Sequence, residues 1–117
     1  MEYMEAYRQR MVRNHNTFLA LAKELKAKGC KVLMPEGEIG FIKILKDGMH
    51  VILSFNEVPY RWSLEMDYKP SKERGSGRTL ESNHDHENTY SADYIIGKMA
   101  PNPDVKNFEK PSHLIEL

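Results

Sequence analysis

Two histidines one residue apart, His84 and His86, stand in the stretch SNHDHENTY (residues 82–90), with Asp85 and Glu87 interleaved. In an extended chain residues i and i+2 face the same side, so both imidazoles could chelate one metal ion. Asp85 and Glu87 would then face away. A catalytic zinc needs a third protein ligand, and the sequence nominates none: His15, His50, His113 and Asp93 qualify by residue type alone. The HExxH helix motif is absent, and so is the H-x-E with P-C-x-x-C pairing of the zinc deaminases. A histidine pair in a polar, acidic stretch therefore reads first as a solvated loop. A metal-dependent enzyme built on His84 and His86 ranks third among the functions considered.

The stretch KERGSGR (residues 72–78) invites a different chemistry. Two glycines let backbone N–H groups approach an anion, and Lys72, Arg74 and Arg78 could hold a phosphate or a nucleic-acid backbone. Neither G-x-x-x-x-G-K-[ST] nor G-x-G-x-x-G is present, since Leu80 stands where the third glycine of the latter would be. The competing reading is a polar connection between two sheet elements. Arg8, Arg10 and Arg13 would reinforce the anion site only if that end of the first helix lay beside the loop.

Nucleophilic catalysis has little support. Cys30, the only cysteine, follows a helix stop and opens a strand, a position normally packed and inert. No serine sits in a G-x-S-x-G elbow. His15 lies on a helical stripe, where it reads as a core-edge residue rather than a base.

The elements that must position these residues follow from periodicity. From Glu2 to Lys28 the positions Met4, Tyr7, Met11, His15, Phe18, Ala22 and Leu25 recur at spacings of three and four, among good helix formers. The sequence predicts a helix through Lys28, stopped by Gly29. NHNT (residues 14–17) is its weak point, because Asn14 or Asn16 could cap a fresh helix there. Strands follow: CKVLM, then FIKILK and MHVILSF joined by the hairpin signal Asp47-Gly48, then RWSLEMDY with strict alternation. Phe18 and Leu25 should pack on the sheet face carrying Trp62, Leu64 and Met66. Beyond Pro70 the pattern fades. TLESNHDHENTY is too polar to assign, and SADYIIGKMA fits either a helix capped by Ser91 or a last strand.

The expected fold is α+β: a long N-terminal helix on a three- or four-stranded antiparallel sheet, with an irregular C-terminal third. Residues 1–100 should form one domain, and residues 101–117, with three prolines, an extended tail packed on the surface. A chain of 117 residues buries roughly 65% of its unfolded surface, enough for one core without staples. One cysteine excludes an internal disulfide and the paired-cysteine zinc patterns. The N-terminus has no apolar run for a secretory signal and no window suits a membrane span, so a cytoplasmic location is the expectation.

Net charge is zero but unevenly spread: residues 1–31 carry seven basic and three acidic side chains, and residues 79–117 three basic and seven acidic. The short stretch 69–78 has four basic and one acidic. A zero total argues against strong non-specific nucleic-acid binding. No motif is specific enough to assign a family, and no cofactor is implied. The favoured reading is a non-catalytic binding or accessory module whose partner is a protein or a second copy of the chain. Helical length supports it: 27 residues span about 40 Å against about 20 Å for a six-residue strand, so Met4, Tyr7 and Met11 extend past the sheet. Nucleic-acid or phosphate binding through residues 69–78 is the runner-up.

Overall fold

A computed structural model of the chain describes residues 2–57, 60–67, 77–83, 88–101 and 114–117. Helix α1 runs unbroken over Glu2–Ala27. Neither Asn14 nor Asn16 starts a second helix: residues 14–17 continue α1, and the Thr17 hydroxyl donates to the Arg13 carbonyl at 2.9 Å along it. At the C-terminal end Gly29 takes a φ of 94°. Its N–H donates to the Lys26 carbonyl and the Cys30 N–H to the Leu25 carbonyl, both at 3.0 Å. This is a Schellman stop, and its usual apolar contact is present because Cys30 and Leu25 both lie in the core.

The strands are β1 Lys31–Pro35, β2 Phe41–Lys46, β3 Met49–Glu57, β4 Tyr60–Asp67 and β5 Gly77–Asn83. Helix α2, Ala92–Lys98, follows, then β6 Ala100–Pro101 and β7 Leu114–Glu116. They form one antiparallel sheet of order β5-β4-β3-β2-β1-β7, with β6 pairing the start of β3. Asp47 and Gly48 both have positive φ, 51° and 77°, as the two central residues of a tight type I′ hairpin require.

Among the described residues the sheet has seven strands rather than the expected three or four, and the C-terminal third supplies the additional ones. β5 and β7 are edge strands, where one side of the ladder is unpaired and side-chain alternation is weak. β6 is only two residues long. SADYIIGKMA resolves as a helix because the Tyr94 N–H finds the Ser91 hydroxyl at 3.2 Å. An ion pair at 3.0 Å between Lys28 and Asp93 ties α2 to the end of α1.

The core lies between the helices and one sheet face. Phe18, Leu21, Ala22 and Leu25 of α1 meet Val32, Ile42, Ile44, Val51, Leu53, Trp62 and Leu64 there. Met66 is buried but stands outside this cluster. A smaller apolar cluster of Leu33, Leu45 and Leu114 occupies the opposite face. No helix is long and apolar enough to cross a membrane among the described residues.

Candidate functional site

Helix α1, at 26 residues, is about 39 Å long, whereas five-residue β1 spans about 17 Å. Even nine-residue β3, about 30 Å long, is shorter than the helix, and the first turns of α1 stand exposed. From Asn14 onward its apolar stripe is buried. Toward the N-terminus the same stripe emerges into solvent, with Tyr3 71% and Met4 56% exposed and Tyr7 at the margin. The exposed apolar side chains thus lie together on one face at the N-terminal end of the helix.

A groove of about 190 Å³ opens where the exposed turns leave the sheet, lined among the described residues by Tyr7, Met11, Asn14, Phe18, Ile39, Gly40 and Phe55. The β1–β2 connection is pinned against α1 by the Ile39 N–H, which donates to His15 Nδ1 at 3.2 Å. It is pinned to β3 by the Phe55 N–H, which donates to the Gly40 carbonyl at 3.2 Å. The expected core-edge role of His15 is thus specific: its Nδ1 is an acceptor, so its neutral-ring proton sits on Nε2. Phe18 and Phe55 each meet Trp62 edge-on, with ring centroids 4.9 Å and 5.0 Å apart. Edge-on aromatic pairs of this kind contribute about 0.5–1.5 kcal/mol each beyond area burial.

Two features of this groove are not explained by folding. Asn14 is only 3% exposed, yet its side-chain Nδ2 has no hydrogen-bond partner among the described residues. A buried donor left unmade costs about 1–3 kcal/mol. Gly40 lies outside the left-handed region, so its backbone does not require glycine. A Cβ built there meets no atom of the described residues within 4 Å. The missing side chain keeps the groove open.

Among the described residues the lining of the groove has no carboxylate; it offers apolar walls, the Tyr7 phenol and the Asn14 amide. Its volume falls below the roughly 300–1,000 Å³ of small-molecule sites and suits one apolar side chain with an acceptor beside it.

A second cluster joins β5 to α2. The Tyr94 hydroxyl donates to Glu81 at 2.7 Å, Lys98 approaches the same carboxylate at 3.5 Å, and the Tyr90 and Tyr94 rings stack 5.4 Å apart. Burial pushes the Tyr90 phenol up to about 12, with Glu81 and Tyr94 adding to it. The hydrogen bond to Glu81 raises Tyr94. Phenols held neutral in this way are poor bases, and the cluster fastens α2 to the sheet edge. Across the outer face Ser54 donates to Glu65 at 2.7 Å, Asn56 to Ser63 at 2.9 Å, and Ser63 and Ser82 share a bond at 3.2 Å. This polar row consumes its own donors, with no histidine among the bonded groups. The Cys30 thiol is buried and raised by that burial, away from the thiolate a nucleophile needs.

Of the residues singled out from sequence, His84, His86, Lys72 and Arg74 lie outside the described residues. Arg78 belongs to β5, where its Cα pairs with that of Met66. Among the described third-ligand candidates, His15 accepts from the Ile39 N–H, His50 is buried in β3 beside Ala100, and Asp93 pairs with Lys28. His113 lies outside the described residues. Sequence reasoning misses Asn14 as a site residue. Its signal is a polar side chain at a position where the helical stripe should be apolar, and that signal reads equally as a helix break. No family model, curated protein or solved structure matches the chain.

Proposed function

We propose that this chain is a small non-catalytic binding module that captures an apolar side chain of a protein partner in the groove beneath α1. The observation that carries it is the buried, unpartnered Asn14 amide at the edge of an apolar cleft. A bound backbone carbonyl or side-chain hydroxyl would satisfy that donor while an aromatic or methionine side chain fills the space. The exposed Tyr3, Met4 and Tyr7 extend the contact along the helix, and methionine adapts readily to varied partners.

Selection of a random dodecapeptide library on the immobilised chain tests this reading. Recovered peptides should share an aromatic or methionine anchor and lose binding at least tenfold on Gly40→Phe, which fills the groove without backbone strain. Circular dichroism of Gly40→Phe should match wild type. Selection yielding only peptides indifferent to Gly40→Phe discards the proposal.

A further inference from the structure

We infer that the occupant of the groove is the first turn of α1 from a second copy of this chain, with Tyr3 as the inserted side chain; this rests on the groove being a binding site. Tyr3 and Asn14 are eleven residues apart on one unbroken helix, just over three full turns, so they share a face. The stripe positions 3, 7, 11 and 14 are spaced by four, four and three. Such a pattern reads nearly the same from either end. A two-fold axis that reverses one helix against the other therefore sets Tyr7 beside Met11 of the second copy, and the Tyr3–Met4 turn beside its Asn14. Because the contact is isologous, the same operation fills both grooves at once.

The chemistry of the tip matches the chemistry of the groove. Tyr3 is 71% exposed and carries an aromatic ring for the apolar walls and a hydroxyl oxygen that can accept from Asn14 Nδ2. The charges agree with the antiparallel arrangement. Glu5 lies in the early turns and Arg8, Arg10 and Arg13 in later ones, so reversal brings Glu5 of one helix alongside Arg13 of the other, with Arg8 beside Arg10 near the axis and the helix dipoles opposed. A parallel pairing would align like charges. About twelve helical residues from each copy make an interface at the small end of specific contacts, so dissociation in the micromolar range is expected.

Sedimentation equilibrium of the full chain across the micromolar range tests the inference. Wild type should show a monomer–dimer equilibrium that Tyr3→Ser/Met4→Ser weakens at least tenfold and Gly40→Phe weakens comparably. Mixing those two variants should restore association tighter than either alone, because one tip and one groove remain intact. Tyr3→Phe should weaken dimerisation about 5- to 150-fold, the loss of two hydrogen bonds in an isologous dimer, and should have no further effect in an Asn14→Leu background. A chain monomeric at every concentration, a dimer indifferent to both variants, or variants that fail to complement would each overturn it. Peptides that bind wild type and are lost on Gly40→Phe, found together with a strictly monomeric chain, would overturn the second copy while leaving the groove as a binding site. Failure of both measurements removes both.

Discussion

Replacing Asn14 with leucine should stabilise the isolated chain, contrary to the usual effect of changing a buried helix residue. Asn14 is nine-tenths and more buried with Nδ2 unpartnered, so removing that amide recovers about 1–3 kcal/mol of desolvation. Leucine is a better helix former than asparagine by a few tenths of a kcal/mol. Leucine keeps the same branched skeleton, and its slightly bulkier methyls can expand into the adjoining groove of about 190 Å³, which limits the 1–3 kcal/mol that overpacking typically costs. The net expectation is a gain of about 1–2 kcal/mol, or a rise in Tm of about 4–8 °C for a domain of this size.

Urea melts followed by Trp62 fluorescence measure it, with an unchanged slope required for the difference to be one of stability. The melts should be made at protein concentrations below any self-association, because binding to the folded state would add to apparent stability. Loss of more than about 1 kcal/mol would refute the reasoning, since it would show that the amide holds the fold together. Stabilisation combined with weaker partner binding is the signature of a residue kept for function at the expense of folding.

Other perturbations follow from the same geometry. Phe18→Ala should cost about 3–5 kcal/mol, because the ring is fully buried against Trp62; a loss below about 1 kcal/mol in urea melts would refute its placement. Cys30 should react with a thiol reagent only as the chain unfolds, its thiol being buried and raised by burial, so rapid labelling under native conditions would contradict the core assignment. Tyr90 is pushed from an ordinary 10.0 up to about 12, so the folded state binds the phenolic proton more tightly than the unfolded one. Stability from this residue is intact below pH 10 and lost as pH rises toward 12, and melts across that window should show Tyr90→Phe losing less than wild type. Zinc titrated calorimetrically should bind weakly and almost equally to wild type and to His84→Ala/His86→Ala; saturable one-to-one binding abolished in the double variant would establish a metal site.

The sequence carries the fold unequally. Helix α1 is legible because its stripe keeps one period for seven turns, and its end because Gly29 supplies the left-handed residue a Schellman stop needs. The β2–β3 hairpin is legible because Asp-Gly suits a turn with two positive φ values. The edge strands are not. In GRTLESN no side-chain alternation marks β5, and its pairing with β4 contains a register shift between Leu64 and Glu65. Leu114–Glu116 is too short for a period; what makes it a strand is the unpaired side of β1. Helix α2 is seven residues long, below the length at which periodicity separates helix from strand, and the Ser91 cap decides it. The exposure of the first turns of α1 is legible from arithmetic on element lengths. The groove is not, because Ile39, Gly40 and Phe55 reach Asn14 only through tertiary folding.

Three local choices at one end of the sheet run against folding, and they run in a consistent direction. A helix whose sole task was to cover the sheet would be apolar at Asn14 and polar at Tyr3, Met4 and Tyr7. This helix has the reverse, with an unpartnered amide where the stripe is buried and large apolar side chains where it is exposed. Gly40 adds a wall left bare without a conformational reason. Any one of these costs little, and each could persist as an isolated imperfection. Their coincidence in a single groove is harder to explain that way, since natural sequences keep local preference and global fold in agreement except where another demand intervenes. An added apolar group carrying an acceptor would resolve all three at once: it would shield the exposed stripe, satisfy Asn14 and occupy the space beside Gly40. The local frustration of the monomer thus specifies the chemistry that an occupant would need in order to relieve it.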